Sequence, residues 1–212
     1  MAVYLNMDRK GHWENIHATK QLGEVSWYEP VPAISLDFIR QFNTPKSAKI
    51  IDVGGGDSLL ADHLLDLGYT NVTVLDISEK AIAKAQQRLG ARAEMVKWIV
   101  CDATAFTPAE KYDFWHDRAA FHFLTQEADI EKYIQVIEKG THPGSTVVIG
   151  TFSEQGPRKC SGIEIKQYSE NSLADRLKEY FRKIRCIYID HKTPSHTIQN
   201  FVFCGFRKIE EG

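Results

Sequence analysis

Short apolar runs alternate with amphipathic segments along most of the chain, and this alternation restricts the possible folds more than any other feature. The strand-like runs occupy residues 48–53, 71–76, 96–101, 112–115 and 144–152. The segments with helical spacing of apolar residues occupy 58–67, 78–90 and 127–138. Strands that alternate with helices form parallel sheets through right-handed crossovers, with helices on both faces. The sequence therefore predicts a doubly wound α/β fold around one mostly parallel sheet.

The two ends of the chain depart from this pattern. After a helix predicted at 171–181, strand-like runs at 183–190 and 197–207 are joined by a loop too short for a crossover helix, so we expect antiparallel pairing. Residues 1–45 contain no clear strand, and we expect one or two helices and an extended arm over the sheet edge where doubly wound folds bind ligands. The 212 residues suit a single domain, with this arm covering a core at 46–212.

The composition is that of an ordinary globular protein and argues against several classes of partner. Apolar residues make up 43% of the chain, and a formal net charge of -2 gives no global attraction to nucleic acid or anionic membranes. No apolar run approaches the roughly 20 residues of a membrane span, and the N-terminus lacks a secretory signal. We therefore expect a cytoplasmic protein that binds neither nucleic acid nor membrane.

The cysteines are dispersed along the chain, with neither a CxxC pair nor the ligand spacing of a zinc site. They are Cys101, Cys160, Cys186 and Cys204. Because such spacing does not indicate a disulfide framework, we expect reduced thiols and no metal site.

A glycine cluster directly after the first strand carries the strongest functional signal. The segment reads Asp52-Val-Gly-Gly-Gly-Asp57-Ser58, and glycines there let the backbone approach a ligand closely. A P-loop would need Lys-Ser/Thr after the last glycine, and a dinucleotide fingerprint would need Gly or Ala where Leu59 stands. Because Asp52 and Asp57 would repel phosphates, the turn favours a ligand that carries an ammonium and a sulfonium group.

Two further carboxylates stand at the ends of the next two strands. Asp76 lies 22 residues after Gly54, where a carboxylate can accept hydrogen bonds from both hydroxyls of a ribose. Asp102 closes the third strand, where its carboxylate and the adjacent amide of Ala103 could recognise an adenine edge. The order of these acids along the chain makes the combination more specific than the glycine cluster alone.

These motifs resemble those of class I, seven-stranded S-adenosylmethionine-dependent methyltransferases, and the resemblance covers nearly the whole chain. DVGGG at 52–56 matches the first motif, LDIS at 75–78 the ribose-binding strand end, and CDA at 101–103 the adenine-contacting strand end. The resemblance implies S-adenosylmethionine as the methyl donor. It also implies the sheet order 3-2-1-4-5-7-6, with the seventh strand antiparallel.

The resemblance also implies a set of cofactor contacts. Asp52 and Gly54 would face the methionine end, Asp76 the ribose and Asp102 the adenine. The candidate cofactor-binding residues are Trp13, Asp52, Gly54, Gly55, Gly56, Asp76, Ile77, Asp102, Ala103 and His116. Trp13 joins them because an aromatic face suits a sulfonium cation.

The segment after the fourth strand predicts the acceptor site. The pattern DFWHDRAA at 113–120 is similar to that of thiopurine and related thiol methyltransferases, and the loop at 150–165 resembles the loop that bounds their acceptor pocket. This likeness implies a small, soft acceptor such as a thiol, or a selenium or tellurium species. Methyl transfer is an in-line displacement, so the protein mainly aligns the reactants and excludes water, with a base only where the acceptor must lose a proton.

Candidate side chains follow from this placement. The catalytic candidates are His116, Asp117 and Arg118, and the substrate-binding candidates are Trp27, Arg118, His122 and Cys160. Each has a structural alternative. Asp117 and Arg118 could form an ion pair that fixes the loop, the histidines could be satisfied polar residues, Trp27 a packing aromatic and Cys160 a passive thiol.

Two other functions stay open. A protein lysine methyltransferase usually carries an Asn/Asp-Pro-Pro-Tyr or Asp-Lys-Gly motif after the fourth strand, and His116-Asp117-Arg118-Ala119 matches neither. A non-catalytic module that only binds the cofactor is the other alternative, although the intact glycine turn and strand-end acids argue against it.

Overall fold

The computed structural model describes residues 8–210. The strands, in chain order, are β1 (Lys49–Val53), β2 (Asn71–Asp76), β3 (Val96–Val100), β4 (Tyr112–Arg118), β5 (Thr141–Phe152), β6 (Lys159–Cys160), β7 (Ile163–Glu164), β8 (Phe181–Lys192) and β9 (Ile198–Lys208). The α-helices are α1 (Arg9–Thr19), α2 (Ala33–Gln41), α3 (Leu60–Asp66), α4 (Glu79–Leu89), α5 (Glu127–Gly140) and α6 (Glu170–Leu177). None of these helices has the length and hydropathy that crossing a membrane requires.

A seven-stranded sheet with the order β3-β2-β1-β4-β5-β9-β8 forms the centre of the molecule. The first five strands of this order are parallel, whereas β9 runs antiparallel to both β5 and β8. The short strands β6 and β7 form a separate hairpin. Because β8 and β9 are the sixth and seventh strands of the main sheet, the predicted order with an antiparallel seventh strand is confirmed.

Helices cover both faces of the sheet and bury an apolar layer on each side. Trp115, Tyr133 and Leu173 belong to the layer beneath α5 and α6. Phe38 and Leu64 belong to the opposite layer, beneath α2 and α3. This arrangement confirms the doubly wound α/β class, because each face of a parallel sheet must be shielded from water.

The ends of some elements differ from the sequence prediction. β4 continues to Arg118 instead of residue 115, since its ladder with β5 extends to the pair Arg118 and Gly150. The last helix ends at Leu177 instead of 181, because Phe181 already pairs with Lys208 in the sheet.

Two of the cysteines are joined, which corrects the expectation of reduced thiols. Cys186 on β8 and Cys204 on β9 lie directly opposite each other, with Cα atoms 4.1 Å apart, and form a disulfide. Antiparallel register places both side chains on the same face of the sheet, where they can meet. Cys101 and Cys160 are free thiols.

The N-terminal helix is attached to the core at the start of α4. The carboxylate of Glu14 accepts hydrogen bonds from the backbone N–H groups of Glu79 at 2.8 Å and Lys80 at 3.2 Å, and from the Ser78 hydroxyl at 3.1 Å. A carboxylate at a helix N-terminus satisfies unpaired donors and interacts favourably with the helix dipole. Glu14 therefore holds α1 across the C-terminal edge of the sheet.

Candidate active site

A cavity lies at the carboxyl ends of β1, β2, β3 and β4, with α1 and residues 22–32 forming its opposite wall. The residues predicted to bind the cofactor all line it: Trp13, Asp52, Gly54, Gly55, Gly56, Asp76, Ile77, Asp102, Ala103 and His116. Three of the residues predicted for the acceptor, Trp27, Arg118 and Cys160, line the same cavity. Asp117 and His122 do not. The structure thus brings most of the candidates together, while their contacts with ligands stay predictions.

The glycine turn between β1 and α3 is pressed against its neighbours. Gly54 has φ +68°, and a Cβ atom there would lie 2.7 Å from the Cβ of Ala120. Gly56 has φ +44°, and a Cβ atom there would lie 2.9 Å from Oδ2 of Asp76. Both positions require glycine for their backbone conformation and for this close approach. The turn therefore brings its backbone next to the Asp76 carboxylate.

Three carboxylates are buried beside this turn. Asp52 and Asp57 are each 3% exposed and Asp76 is 7% exposed. Oδ1 of Asp57 has no hydrogen-bond partner within residues 8–210, while its Oδ2 lies 3.6 Å from Nδ1 of His17. Three buried acids in one cluster suit a cationic ligand rather than a phosphate.

Asp76 is the acid most affected by this environment. Its Oδ1 accepts a hydrogen bond from the backbone N–H of Ser78 at 2.8 Å. Burial raises the pKa of Asp76 to about 6, and the charges of Asp57 and Asp52 act in the same direction, although the Ser78 amide and His17 oppose them. The remaining oxygen, Oδ2, faces the glycine turn and is available to a ligand hydroxyl.

The third strand end is held by a residue from α1. Oδ1 of Asp102 accepts hydrogen bonds from the backbone N–H and the hydroxyl of Thr104, both at 2.8 Å. Oδ2 of Asp102 forms an ion pair with Arg9 at 3.0 Å, and Arg9 also reaches Asp129 at 3.3 Å. These contacts fix the Asp102 side chain on the cavity wall.

His116 connects β4 to β1 and α2. Its Nδ1 lies 2.7 Å from Oδ1 of Asp52, and its Nε2 lies 2.8 Å from the Ser35 hydroxyl. A neutral ring that donates from Nδ1 to the carboxylate and accepts at Nε2 from the hydroxyl satisfies both contacts. Service as a general base would require the bond with Ser35 to break.

Arg118, at the end of β4, is a buried residue of the cavity wall. Its Nη1 donates to the backbone carbonyl of Trp27 at 2.8 Å, and its Nη2 donates to Glu29 at 3.1 Å. The guanidinium carbon lies 5.2 Å from the centre of the Phe201 ring. Burial lowers the pKa of Arg118, whereas Glu29 and Asp52 raise it. The side chain remains a cation, since the guanidinium group of arginine is not deprotonated in proteins.

Asp117 does not line the cavity but stabilises the backbone behind its wall. Its Oδ1 accepts hydrogen bonds from the backbone N–H groups of Ala120 at 2.9 Å and Phe121 at 3.1 Å, and its Oδ2 accepts from the hydroxyl of Tyr133 at 2.7 Å. Burial raises the pKa of Asp117 to about 6, even though these three donors lower it. The side chain fixes the turn that follows β4, and the ion pair considered between Asp117 and Arg118 does not form, because Arg118 pairs with Glu29.

His122 lies in the core beyond the cavity. Its Nδ1 accepts a hydrogen bond from the backbone N–H of Phe152 at 3.3 Å, and the two rings stack with centres 4.6 Å apart. Burial lowers the pKa of His122 to about 3, with the charge of Arg118 acting in the same direction. The ring is therefore neutral, and it lies outside the cavity wall. Its buried Nε2 has no hydrogen-bond partner among residues 8–210, so the alternative of a satisfied polar histidine is not met either.

The two remaining acceptor-side candidates, Trp27 and Cys160, lie on an apolar, partly aromatic wall together with the cofactor candidate Trp13 and with Phe123. The ring centres of Trp13 and Trp27 lie 5.8 Å apart, and those of Trp13 and Phe123 lie 4.9 Å apart, both edge to face. Cys160 is 7% exposed, and burial raises the pKa of its thiol, which keeps it neutral. Aromatic faces of this kind exclude water and suit a sulfonium cation.

Several residues at the site were missed by the sequence interpretation. They are Arg9, Glu14, His17, Glu29, Ser35, His191 and Gln199. Trp13, Glu14 and His17 recur at helical spacing, so the functional face of α1 left a signal in the sequence. The others come from distant segments with no recognisable local motif.

Comparison with known sequences finds similarity to methyltransferases in the central part of the chain. A family profile described as "Methyltransferase domain" matches residues 50–144. The chain is 27% identical over 93 residues to the mouse (Mus musculus) eEF1A lysine and N-terminal methyltransferase. This alignment covers 44% of this chain and 13% of the relative. It is 26% identical over 133 residues to the ubiquinone biosynthesis O-methyltransferase of Hydrogenovibrio crunogenus. This alignment covers 62% of this chain and 54% of the relative. The chain thus spans only part of the length of these relatives.

Solved structures with the same fold cover nearly the whole chain. One, from work on the conversion of a disulfide bond into a thioacetal group during echinomycin biosynthesis, matches with a TM-score of 0.77 at 20% identity over 96% of this chain and 94% of the other. The N-methyltransferase NodS from Bradyrhizobium japonicum, in complex with S-adenosylhomocysteine, matches with a TM-score of 0.73 at 16% identity over 96% and 100%. At these identities the matches establish the fold and leave the acceptor open.

Proposed function

We propose that this chain is a class I S-adenosylmethionine-dependent methyltransferase that transfers the methyl group of S-adenosylmethionine to a small, soft nucleophile such as a thiol. The observation that carries the proposal is the cavity itself. Buried acids, aromatic side chains and one buried cation, Arg118, line it together. The acids are suited to a cationic adenosyl donor, and Arg118 is suited to a nucleophile that becomes an anion.

The residues present fit the proposed donor. Bound S-adenosylmethionine supplies a methyl group attached to a positively charged sulfur. Asp76 would hold the ribose hydroxyls through its free Oδ2, and Asp57, whose Oδ1 has no partner among the described residues, would receive the amino-acid end. Asp102 and Ala103 would bound the adenine. The assignment of Asp57 rests on this unpaired oxygen, whereas those of Asp102 and Ala103 rest on their places in the cavity wall.

The chain's contribution to the transfer is alignment and exclusion of water. Trp13, Trp27 and Phe123 close one side of the cavity with apolar surface, which shields the reacting atoms from solvent. A thiol acceptor has a pKa near 8.5 and loses its proton before or during attack. Arg118 lowers the cost of that ionisation, because its positive charge stabilises the sulfur anion. The acceptor sulfur would then bond to the methyl carbon as the bond between that carbon and the donor sulfur breaks, which releases S-adenosylhomocysteine.

Methylation of a protein lysine is the second candidate, favoured by the similarity to the mouse eEF1A lysine and N-terminal methyltransferase. A lysine side chain enters a site as a cation and must lose a proton. The buried charge of Arg118 would oppose its entry. The similarity covers 44% of this chain and 13% of the relative.

The proposal is tested with S-adenosylmethionine that carries a labelled methyl group. We expect label to appear in a small-molecule fraction when a panel of alkyl and aryl thiols is added, together with stoichiometric S-adenosylhomocysteine. Label in a protein band after addition of eEF1A would support the lysine candidate instead. A protein that binds S-adenosylhomocysteine in calorimetry yet methylates neither class would contradict both.

A further inference from the structure

We propose that Gln199, on β9, recognises the acceptor, and that its side-chain amide pairs with a carboxamide-like group of that molecule. Such a group presents a hydrogen-bond donor directly beside a hydrogen-bond acceptor. This inference deepens the proposed function and rests on it for the place of the acceptor in the cavity. It adds a second requirement to the substrate class, because a nucleophile alone would leave the Gln199 amide without a partner.

Gln199 is a buried polar residue of the cavity wall whose amide the protein does not use. The residue is 8% exposed and lines the cavity, and its side-chain amide forms no hydrogen bond with any of residues 8–210. By contrast, Nε2 of Gln167 donates to the backbone carbonyl of Gly156 at 2.6 Å. An amide removed from bulk water without partners loses its hydration and gains nothing in return. A buried amide in a cavity wall is therefore expected to bind what enters the cavity.

The polar neighbour of Gln199 on the next strand is already engaged. His191 lies directly opposite Gln199 in the ladder between β8 and β9. Its Nε2 lies 2.7 Å from the backbone carbonyl of Ser26, and its Nδ1 lies 3.1 Å from Oε1 of Glu29. Neither ring nitrogen is left for the amide. The partner of Gln199 therefore has to come from the cavity.

The start of β9 places Gln199 at the side of the cavity where the nucleophile is proposed to bind. β5 ends at Phe152, which pairs with Phe201, so Gln199 lies beyond the carboxyl end of β5. Gln199 and Phe201 are two positions apart on one strand, and their side chains therefore face the same side, about 6.6 Å apart. The guanidinium carbon of Arg118 lies 5.2 Å from the centre of the Phe201 ring. Gln199 is thus a near neighbour of Arg118.

The chemistry of the amide determines what it selects. Its Nε2 donates and its Oε1 accepts, and both atoms lie in one plane. A primary carboxamide or a cyclic amide satisfies both atoms at once, with its oxygen on Nε2 and its N–H on Oε1. An ester or an N,N-dialkyl amide can only accept, which leaves Oε1 of Gln199 unpaired and desolvated. A site built for paired hydrogen bonds rejects such analogues strongly.

Two matched sets of thiols test this selection. 4-Mercaptobenzamide, its N,N-dimethyl derivative and methyl 4-mercaptobenzoate share an aryl thiol and a carbonyl, but only the first presents a donor beside an acceptor. The 3-substituted set changes the distance between the thiol and the carbonyl. We expect kcat/KM to favour the primary amide by tenfold or more in at least one set. The difference should lie mainly in KM, because the amide contact is present both before and during transfer. Equal kcat/KM values within both sets would overturn the proposal.

Gln199→Met keeps the length of the side chain but removes its donor and its acceptor, so the preference for the primary amide should fall to within about twofold. The free energy of unfolding should not decrease, because the ligand-free protein has no hydrogen bond to lose at this position. Gln167→Met is the matched control: it removes the bond to Gly156, so it should destabilise the fold and leave the preference intact. A Gln199→Met protein that is destabilised and keeps the preference would show that the amide is structural, and would overturn the proposal.

Binding without turnover separates this inference from the proposed function. NMR titration of the S-adenosylhomocysteine complex should show benzamide bound at least fivefold more tightly than methyl benzoate. Gln199→Met should remove this difference and leave the affinity for S-adenosylhomocysteine within twofold. Selective benzamide binding with no thiol methylated would refute the thiol acceptor and keep the role of Gln199. Thiol turnover with both probes bound equally would overturn the role of Gln199 and leave the proposed function in place.

Discussion

Asp76 lies at the end of β2, and its carboxylate faces the glycine turn. At this position the carboxylate destabilises the ligand-free protein and stabilises a bound ligand. Burial raises its pKa to about 6, against an ordinary value of 3.8. The folded state therefore binds this proton more tightly than the unfolded chain does, and the ionised carboxylate destabilises the fold above pH 6. A ligand that donates hydrogen bonds to it offsets this cost.

Asp76→Asn should stabilise the ligand-free protein at pH 8 and weaken its affinity for S-adenosylhomocysteine. The amide can still accept the bond from Ser78, but it carries no charge to bury. We expect a gain on the order of 1–3 kcal/mol in the free energy of unfolding, which disappears as the pH falls from 6 to about 4. Affinity should fall about tenfold, because charge-assisted hydrogen bonds are lost. Urea titrations at several pH values and calorimetry measure both.

The exposed Asp175, which pairs with Lys178 on the surface, provides the control. Asp175→Asn should change neither the pH dependence nor the affinity. If Asp76→Asn were destabilised at pH 8, or bound S-adenosylhomocysteine as well as the unaltered protein, the assignment of Asp76 to the ribose would be wrong.

At the residue scale, the sequence predicted what a local motif can carry. Asp52, Asp76 and Asp102 follow directly from strand ends, and the structure places all three on one cavity wall. Glu29 and His191 were missed because they stand 162 positions apart (191 − 29) and become partners only through the tertiary fold. Their pairing leaves no pattern in the chain.

At the scale of elements, the strand that carries the acceptor site was one of those whose length was underestimated. The apolar pattern of β4 stops at Trp115, yet the strand continues to Arg118. His116 and Asp117 are polar but buried, because their side chains are satisfied by Asp52 and Tyr133. Hydrophobic periodicity detects burial in apolar surroundings and fails where a strand ends in a polar site. For β8 and β9 the sequence pattern succeeded. The predicted antiparallel hairpin contained the register that places Cys186 opposite Cys204.

The attachment of α1 gives the prediction that belongs to this scale. Burial would raise the pKa of Glu14, but the amides of Glu79 and Lys80 and the Ser78 hydroxyl lower it, as expected for a carboxylate at a helix start. Glu14→Gln removes the negative charge. It also replaces one of the two accepting oxygens by an amide nitrogen, which cannot accept hydrogen bonds. Because α1 carries Trp13 and Arg9 to the cavity, we expect affinity for S-adenosylhomocysteine to fall by about three- to tenfold.

Calorimetry on Glu14→Gln should be compared with Glu131→Gln, which alters an exposed glutamate on α5 and should leave affinity unchanged. Circular dichroism establishes whether the overall fold persists. An affinity equal to that of the unaltered protein would show that α1 is held by its aromatic and ionic contacts without help from Glu14.

At the scale of the whole molecule, three distant parts of the chain enclose one cavity. The β1–β4 strand ends supply the acids, α1 and residues 22–32 supply the opposite wall, and β9 contributes Gln199 and Phe201. The sheet order could be predicted because topological rules limit how βα units connect. The arrangement of the acceptor site could not be predicted from the sequence, because it depends on how the N-terminal segment and the β8–β9 hairpin meet the end of β4.

This enclosure predicts where the protein will respond to its ligand. A donor bound between the sheet edge and α1 would contact both walls, so α1 can leave the core only after the ligand does. We expect saturating S-adenosylhomocysteine to slow amide hydrogen exchange across Arg9–Thr19 by tenfold or more, while exchange in β8, which takes no part in the cavity wall, changes little. Mass spectrometry of peptic fragments measures both regions in one experiment. Unchanged exchange in α1 at saturation would mean that the helix does not close over the ligand, and would remove the physical reason for expecting a small, enclosed acceptor.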